Sequence, residues 1–192
     1  MLFVLLYIIA ALLYPGGSQF DPQAKGFSVL HNYWCNLLNV QALNGTPNTA
    51  RPVAIAAMIV LCLSLSLFWY LFPACTDLPV YFRKAIRISG TLGMLIAIFL
   101  FANLYHDVVI NIAGVAALMA LIGTAIGIYR NKWYGLFWFG MGCAVLIGIN
   151  NYIYYTGNGL YALPVVQKIT FACFLLWISL INFRMFSTTC QS

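Results

Sequence analysis

The chain has 192 residues, of which 64% are hydrophobic and only 6% charged, with nine Lys or Arg against three Asp and a formal net charge of +6. Soluble domains carry about 25% charged residues, so this few charges cannot clothe a water-facing globule of this size. A soluble globular domain, a disordered chain and a nucleic-acid binder are excluded. What remains is an all-α integral membrane protein whose partners are membrane lipids.

A spanning helix needs about 20 mainly apolar residues. The first apolar run, residues 1–14, is closed by Pro15-Gly16-Gly17. It is short, but it has neither a basic n-region nor a small-x-small cleavage site, and it reads as a retained first helix rather than a signal peptide. Residues 15–51 form the longest loop. Further spans are expected at 52–73, 86–105, 108–129, 133–155 and 164–186. A tight turn must separate the third from the fourth, because 86–129 is too long for one crossing. The whole chain, 1–192, is then a single membrane domain: a compact bundle of six transmembrane helices. Small residues stud the spans: Gly123 and Gly127 in a GxxxG pattern, Gly90, Gly93 and Ala97 on another face, and Gly135, Gly140, Gly142 and Gly148 in the fifth. Such faces let helices approach closely, here within one chain.

Basic residues orient the bundle. Arg83, Lys84, Arg87, Arg130, Lys132 and Arg184 fall on one side, and Lys25, Arg51 and Lys168 on the other. The excess places both termini in the cytoplasm, with the chain integral to an inner or plasma membrane. Of the six cysteines, Cys62, Cys143 and Cys173 fall inside spans, and no CxxC or Cys/His zinc spacing occurs. They read as apolar thiols rather than a disulfide framework.

The uncommon polar residues collect at the outer side. In the first outer segment, Ser28, His31, Asn32, Cys35, Asn36 and Asn39 recur at i, i+3, i+4 spacing, with Phe27, Leu30, Trp34, Leu37 and Leu38 opposite. The spacing predicts an amphipathic helix over 26–39, either a lid anchored by Tyr33 and Trp34 or the wall of a polar site. The second outer turn carries Asn103, His106, Asp107 and Asn111, where Asp107 can cap the fourth span or orient His106. The third carries Asn150, Asn151, Tyr154, Gln167 and Lys168. Asn44-Gly45-Thr46 is a glycosylation sequon, of consequence only in a secretory-pathway host.

Taken in order, Tyr14-Pro15-Gly16-Gly17, Gly26-Phe27-Ser28, His31-Asn32-x-Trp34-Cys35-Asn36-Leu37, Asn48, His106-Asp107 and Gln167-Lys168 give the chain a resemblance to a prokaryotic family of six-helix membrane proteins of unknown function. That family is similar in topology to the group containing the FGF-receptor-activating protein and the damage-regulated autophagy modulators. The resemblance covers nearly the whole chain. It implies Ser-Asp-Leu where Cys35-Asn36-Leu37 stands and Gln-Arg where Gln167-Lys168 stands, so Asn36 takes the place of a carboxylate. The wider group's link to lipid remodelling and membrane signalling implies a lipid-related role.

Three functions are compatible with these residues. The first is lipid binding or organisation at an outward-facing polar pocket lined by Ser28, Asn32, Asn36, Asn103, Asn111, Asn150, Asn151, Tyr154, Gln167 and Lys168. The second is a membrane-embedded lipid hydrolase or transferase with His31, His106 and Asp107 as acid–base groups. These residues, with Asp21, could instead ligate a metal; Ser28 would be the nucleophile of a serine-type variant. The third is transport of a small neutral solute, since no clear span carries a charge at mid-membrane.

Overall fold

The computed structural model describes residues 2–98 and 106–189, and the side chains of all of these except 106–110 and 188–189. Among the described residues there are six α-helices: α1 (Leu2–Leu12), α2 (Arg51–Leu71), α3 (Val80–Ile98), α4 (His106–Arg130), α5 (Tyr134–Thr156) and α6 (Leu163–Thr189). Short 3-10 helices occur at Trp34–Leu38 and Phe72–Cys75. Extended pairing among the described residues is confined to two isolated bridges, Gly16 with Lys25 and Gln41 with Pro47. Four stretches are long and apolar enough to cross a membrane: Arg51–Cys75, Asn111–Arg130, Tyr134–Thr156 and Leu163–Ser187, with mean hydropathy from 1.5 to 2.3.

Two elements differ from expectation. The third helix begins at Val80, six residues before the apolar run, so Arg83, Lys84 and Arg87 are helical. Pro79 sits just before the first turn, where a missing N–H costs nothing, and its carbonyl accepts from Arg83 N at 3.1 Å. The long basic side chains reach water from a helix as easily as from a loop. The segment 26–39 is not an amphipathic helix. It is turns followed by a short 3-10 helix, and neither predicted face is turned one way: Asn32, Asn36 and Leu37 are buried, whereas His31, Asn39, Val29 and Leu30 are exposed. The expected turn between the third and fourth spans lies outside the described residues; the chain is helical again by His106.

The chain divides into two compact units. Unit 1 comprises residues 1–60 and 144–173. Its core is α1, the 15–50 loop and a small-residue face of α2. Ala50, Ala54 and Ala57 are fully buried at i, i+4, i+7, as is Ala10 of α1. Aromatic rings fill the remainder: Phe3 meets Phe171 at 5.6 Å, Tyr7 meets Trp34 at 4.8 Å and Tyr14 meets Phe27 at 5.8 Å.

Unit 2 comprises residues 61–143 and 174–192. Here glycines admit large side chains. Trp69 lies against Gly90 so closely that a Cβ there would overlap the indole. Ile86 occupies the notch at Gly123, and Trp177 that at Gly140. The GxxxG pair of α4 thus packs within the chain. Trp69 is buried, and its Nε1 donates to Thr124 Oγ1 at 3.2 Å, which donates in turn to Ala120 O at 2.7 Å. Trp177 Nε1 likewise donates to Leu136 O at 2.8 Å. Each indole therefore enters the core with its one polar group met.

Replacing Gly90 by Leu should cost about 1–3 kcal/mol by overpacking and lower the melting temperature of the detergent-solubilised protein. Gly142→Leu, where a side chain meets open space, should leave it unchanged. Equal effects of the two would refute the packing.

Candidate functional site

The richest polar constellation is the 15–51 loop of unit 1, which forms a cap with almost no regular backbone pairing. Gly16 and Gly17 start it, at φ +145° and +84°. A Cβ on either would overlap backbone atoms of Ala24 or Asn44, so only glycine makes this turn. Gly17 N donates to Ala24 O at 2.7 Å, and Ser18 with Asp21 closes the next turn.

Three buried asparagines then do what a sheet or helix would otherwise do. Asn32 is fully buried; its Nδ2 donates to Gly17 O at 2.8 Å and its Oδ1 accepts from Ser28 N at 2.8 Å. Asn36 Oδ1 accepts from Tyr33 N at 2.6 Å. Asn48 Nδ2 contacts the carbonyls of Asn36, Leu37 and Asn39 at 2.9–3.1 Å, while its Oδ1 accepts from Ala50 N. Tyr14 Oη accepts from Leu43 N at 3.0 Å, and Arg51 Nε donates to Leu38 O at 3.1 Å.

The start of α6 holds the cap. Trp34 N donates to Gln167 Oε1 at 3.3 Å, and Tyr7 Oη of α1 donates to Trp34 O at 3.1 Å. Lys168 Nζ donates to Asn32 O and, at 2.9 Å, to Pro164 O. The same ammonium lies 5.7 Å from the Phe27 ring centre and 5.5 Å from that of Trp34. These two rings stack on each other at 6.0 Å. The ammonium is thus met by neutral carbonyls and ring faces.

In unit 1 the sequence-predicted residues fall into four groups. Asn32, Asn36, Gln167 and Lys168 come together, and Asn32 Nδ2 and Oδ1, Asn36 Oδ1, Gln167 Oε1 and Lys168 Nζ bond groups of the cap and of α6 itself. Ser28 and His31 also meet: Oγ and Nδ1 are 3.3 Å apart, and Phe20 packs edge-on to the exposed imidazole at 5.4 Å. Asp21 is exposed and accepts from Gln23 N at 2.9 Å, in a local turn. Asn151 and Tyr154 are exposed at the end of α5, and Asn150 Oδ1 there is buried without a hydrogen-bond partner among the described residues. Burial, with Cys35 and Tyr154 adding to it, pushes the Tyr33 phenol up from its ordinary value, so it stays protonated at neutral pH.

Asn111 is an exposed residue of α4, in unit 2. Asn103 and the side chains of His106 and Asp107 lie outside the described residues. Among the described residues no group of three or more His, Cys, Asp or Glu is arranged to hold a metal. The aromatic cradle of Phe27 and Trp34 and the pins Tyr7, Tyr14, Asn48 and Arg51 are what residue-by-residue reading overlooks. The one signal for them is a lysine in the second turn of an apolar helix, which needs partners supplied from elsewhere.

The chain matches no protein-family model, no curated protein and no solved structure.

If Lys168 clamps the cap, Lys168→Met should free it, at a cost of about 1–3 kcal/mol per charged hydrogen bond lost. Limited proteolysis should then cut within residues 18–47 at least several-fold faster than in the wild type, and Asn32→Ala should do the same. Unchanged cleavage in both variants would show that the loop is held otherwise.

Proposed function

We propose that the protein is a six-span, multi-pass membrane protein with both termini in the cytoplasm, whose outer cap binds and organises membrane lipid without catalysis. α1 and α3 complete the six spans, and the surplus of Arg and Lys at the α2–α3 and α4–α5 ends sets the orientation. Such a protein would belong with the six-helix membrane families that its motifs resemble.

One observation carries the lipid reading: large apolar side chains stand exposed on the cap although Asn32, Asn36 and Asn48 are buried within it. Phe20, Val29, Leu30 and Val40 are each more than half exposed on it, as are Tyr152, Tyr154, Tyr155 and Tyr161 around the α5–α6 turn. Apolar and tyrosine side chains at this level suit the boundary between head groups and acyl chains, and the cation of Lys168 favours anionic or zwitterionic head groups there.

The Ser28–His31 contact favours a second reading, a lipid hydrolase or transferase in which the imidazole activates the hydroxyl. Turnover of a lipid panel that vanishes in His31→Ala would replace the binding reading with this one.

For the binding reading, native mass spectrometry of the full chain released from detergent should find retained phospholipid. A Phe20→Ser, Val29→Ser, Leu30→Ser variant, altered only at exposed positions, should retain less than about half as much. Wild-type protein that carries no lipid would overturn the proposal, and so would undiminished retention by the variant.

A further inference from the structure

A second site lies in unit 2 and is independent of the cap. We propose that the groove at the start of α3 seats the phosphate of an anionic phospholipid, with Arg83, Lys84 and Arg87 as its ligands.

The groove, of about 180 Å³, is lined by Ala74, Val80, Arg83, Lys84 and Arg87. Three of its five lining residues are cations, and helical spacing explains why. Arg83 and Arg87 are i, i+4 on one face, and Lys84 is i, i+3 to Arg87. Arg87 is fixed in place: Nε donates to Tyr70 O at 2.9 Å and the guanidinium lies 4.7 Å over the Tyr70 ring. With Nε engaged, the two terminal nitrogens remain as a planar donor pair, the geometry that suits phosphate oxygens.

Among the described residues no carboxylate pairs with these cations. Arg130 and Lys132 flank Asn131 in the turn between α4 and α5. Asn131 Nδ2 donates to Cys75 O at 2.7 Å and its Oδ1 accepts from Asp77 N at 3.2 Å. The turn is thereby tied to the linker that leads into the groove, and five cations gather at one end of unit 2. Asp77 is the single acid in that linker. Asp107 belongs to the first turn of α4, about 35 Å along that helix from Arg130 at 1.5 Å per residue. Three like charges within five residues repel one another unless a counter-ion joins them.

The groove's surroundings select a lipid over a soluble anion. Val80 and Tyr81 are more than half exposed, Phe82 is 43% exposed, and the Tyr81 and Phe82 rings pack at 4.6 Å. Tyr70 and Leu71, at the end of α2, are exposed beside them. This is also where α2 and α4 leave their apolar stretches, the depth at which a bilayer presents its phosphates. A head group in the groove would leave its acyl chains beside exposed apolar side chains. A soluble anion would leave those side chains facing water.

The test uses the full chain in mixed micelles, with phosphatidylglycerol, phosphatidylcholine or inorganic phosphate added. Phosphatidylglycerol should raise the melting temperature and be retained in native mass spectrometry well above phosphatidylcholine. Arg83→Gln with Lys84→Gln, which leaves the Arg87–Tyr70 contact in place, should cut that preference roughly thirtyfold, since each basic residue near an anionic surface contributes about fivefold. Equal retention of the two lipids by the wild type would overturn the proposal. An unchanged preference in the variant would do so too, and stabilisation by inorganic phosphate equal to that by phosphatidylglycerol would assign the groove to a soluble anion. Should the variant fail to fold, photo-crosslinking of the wild type with a head-group-labelled phosphatidylglycerol decides. Adducts within residues 74–87 support the site, and adducts absent from that stretch refute it. Loss of the lipid carried by the cap would leave all of these outcomes unaffected.

Discussion

Backbone amides away from water must find partners, and in this protein the 15–51 loop faces that demand with little helix or sheet to meet it. Everything else in unit 1 follows from how it is solved. The side-chain amides of Asn32 and Asn48 stand in for a hydrogen-bonded ladder, joining main-chain groups that turns alone would leave apart, and Asn36 Oδ1 accepts from Tyr33 N beside them. An asparagine suits this work because it offers a donor and an acceptor without a charge to desolvate. Asn32 is the centre of the arrangement. It ties Gly17 to Ser28 through its side chain and, through its own carbonyl, receives the ammonium of Lys168. Loop, α6 and aromatic cradle are therefore coupled through one buried residue.

The same scarcity of partners governs the charges. With three acids in 192 residues, most cations cannot be met by carboxylates. Lys168 is met by carbonyls and ring faces. Arg51 and Arg87 each use a main-chain oxygen. Neutral acceptors satisfy hydrogen bonds without supplying a counter-charge, so the surplus of Lys and Arg over Asp leaves a net positive potential. In a membrane that potential is complementary to lipid phosphate, which is the common chemical reason for reading lipid at the cap and at the α3 groove alike.

Helix positions were legible from apolar runs because burial in lipid imposes a plain requirement: a long stretch without charge. α2, α4, α5 and α6 satisfy it, and their ends fall within a few residues of expectation. The start of α3 was not legible, because Arg83, Lys84 and Arg87 resemble a loop to any reading based on polarity, yet basic side chains are long enough to leave a helix for water. The segment 26–39 misled for a different reason. Its polar residues do recur at helical spacing, but Asn32 and Asn36 are spent on backbone groups, which is possible only if the backbone is not helical and has groups to spare. A 3.6-residue period marks an amphipathic helix only when the polar side is turned towards water.

That burial changes which polar residues are candidates for function. In a soluble enzyme a buried polar residue is the conspicuous one. In a chain this apolar, burial of Asn32, Asn36 and Asn48 is explained by backbone satisfaction, since each side-chain amide bonds main-chain groups of the cap. The residues free to act are those the fold does not consume. In unit 1 these are the exposed imidazole of His31, with Ser28 beside it, and Asn151 and Tyr154 at the end of α5. In unit 2 they are Arg83 and Lys84. Of the ten residues of the expected pocket, four, Asn32, Asn36, Gln167 and Lys168, take part in holding the cap. What remains is a small set of exposed polar groups set among exposed Phe20, Val29, Leu30 and Tyr155. Polar groups set within an apolar surface fit the head-group boundary of a bilayer better than a water-filled cavity, where apolar side chains would gain nothing from exposure.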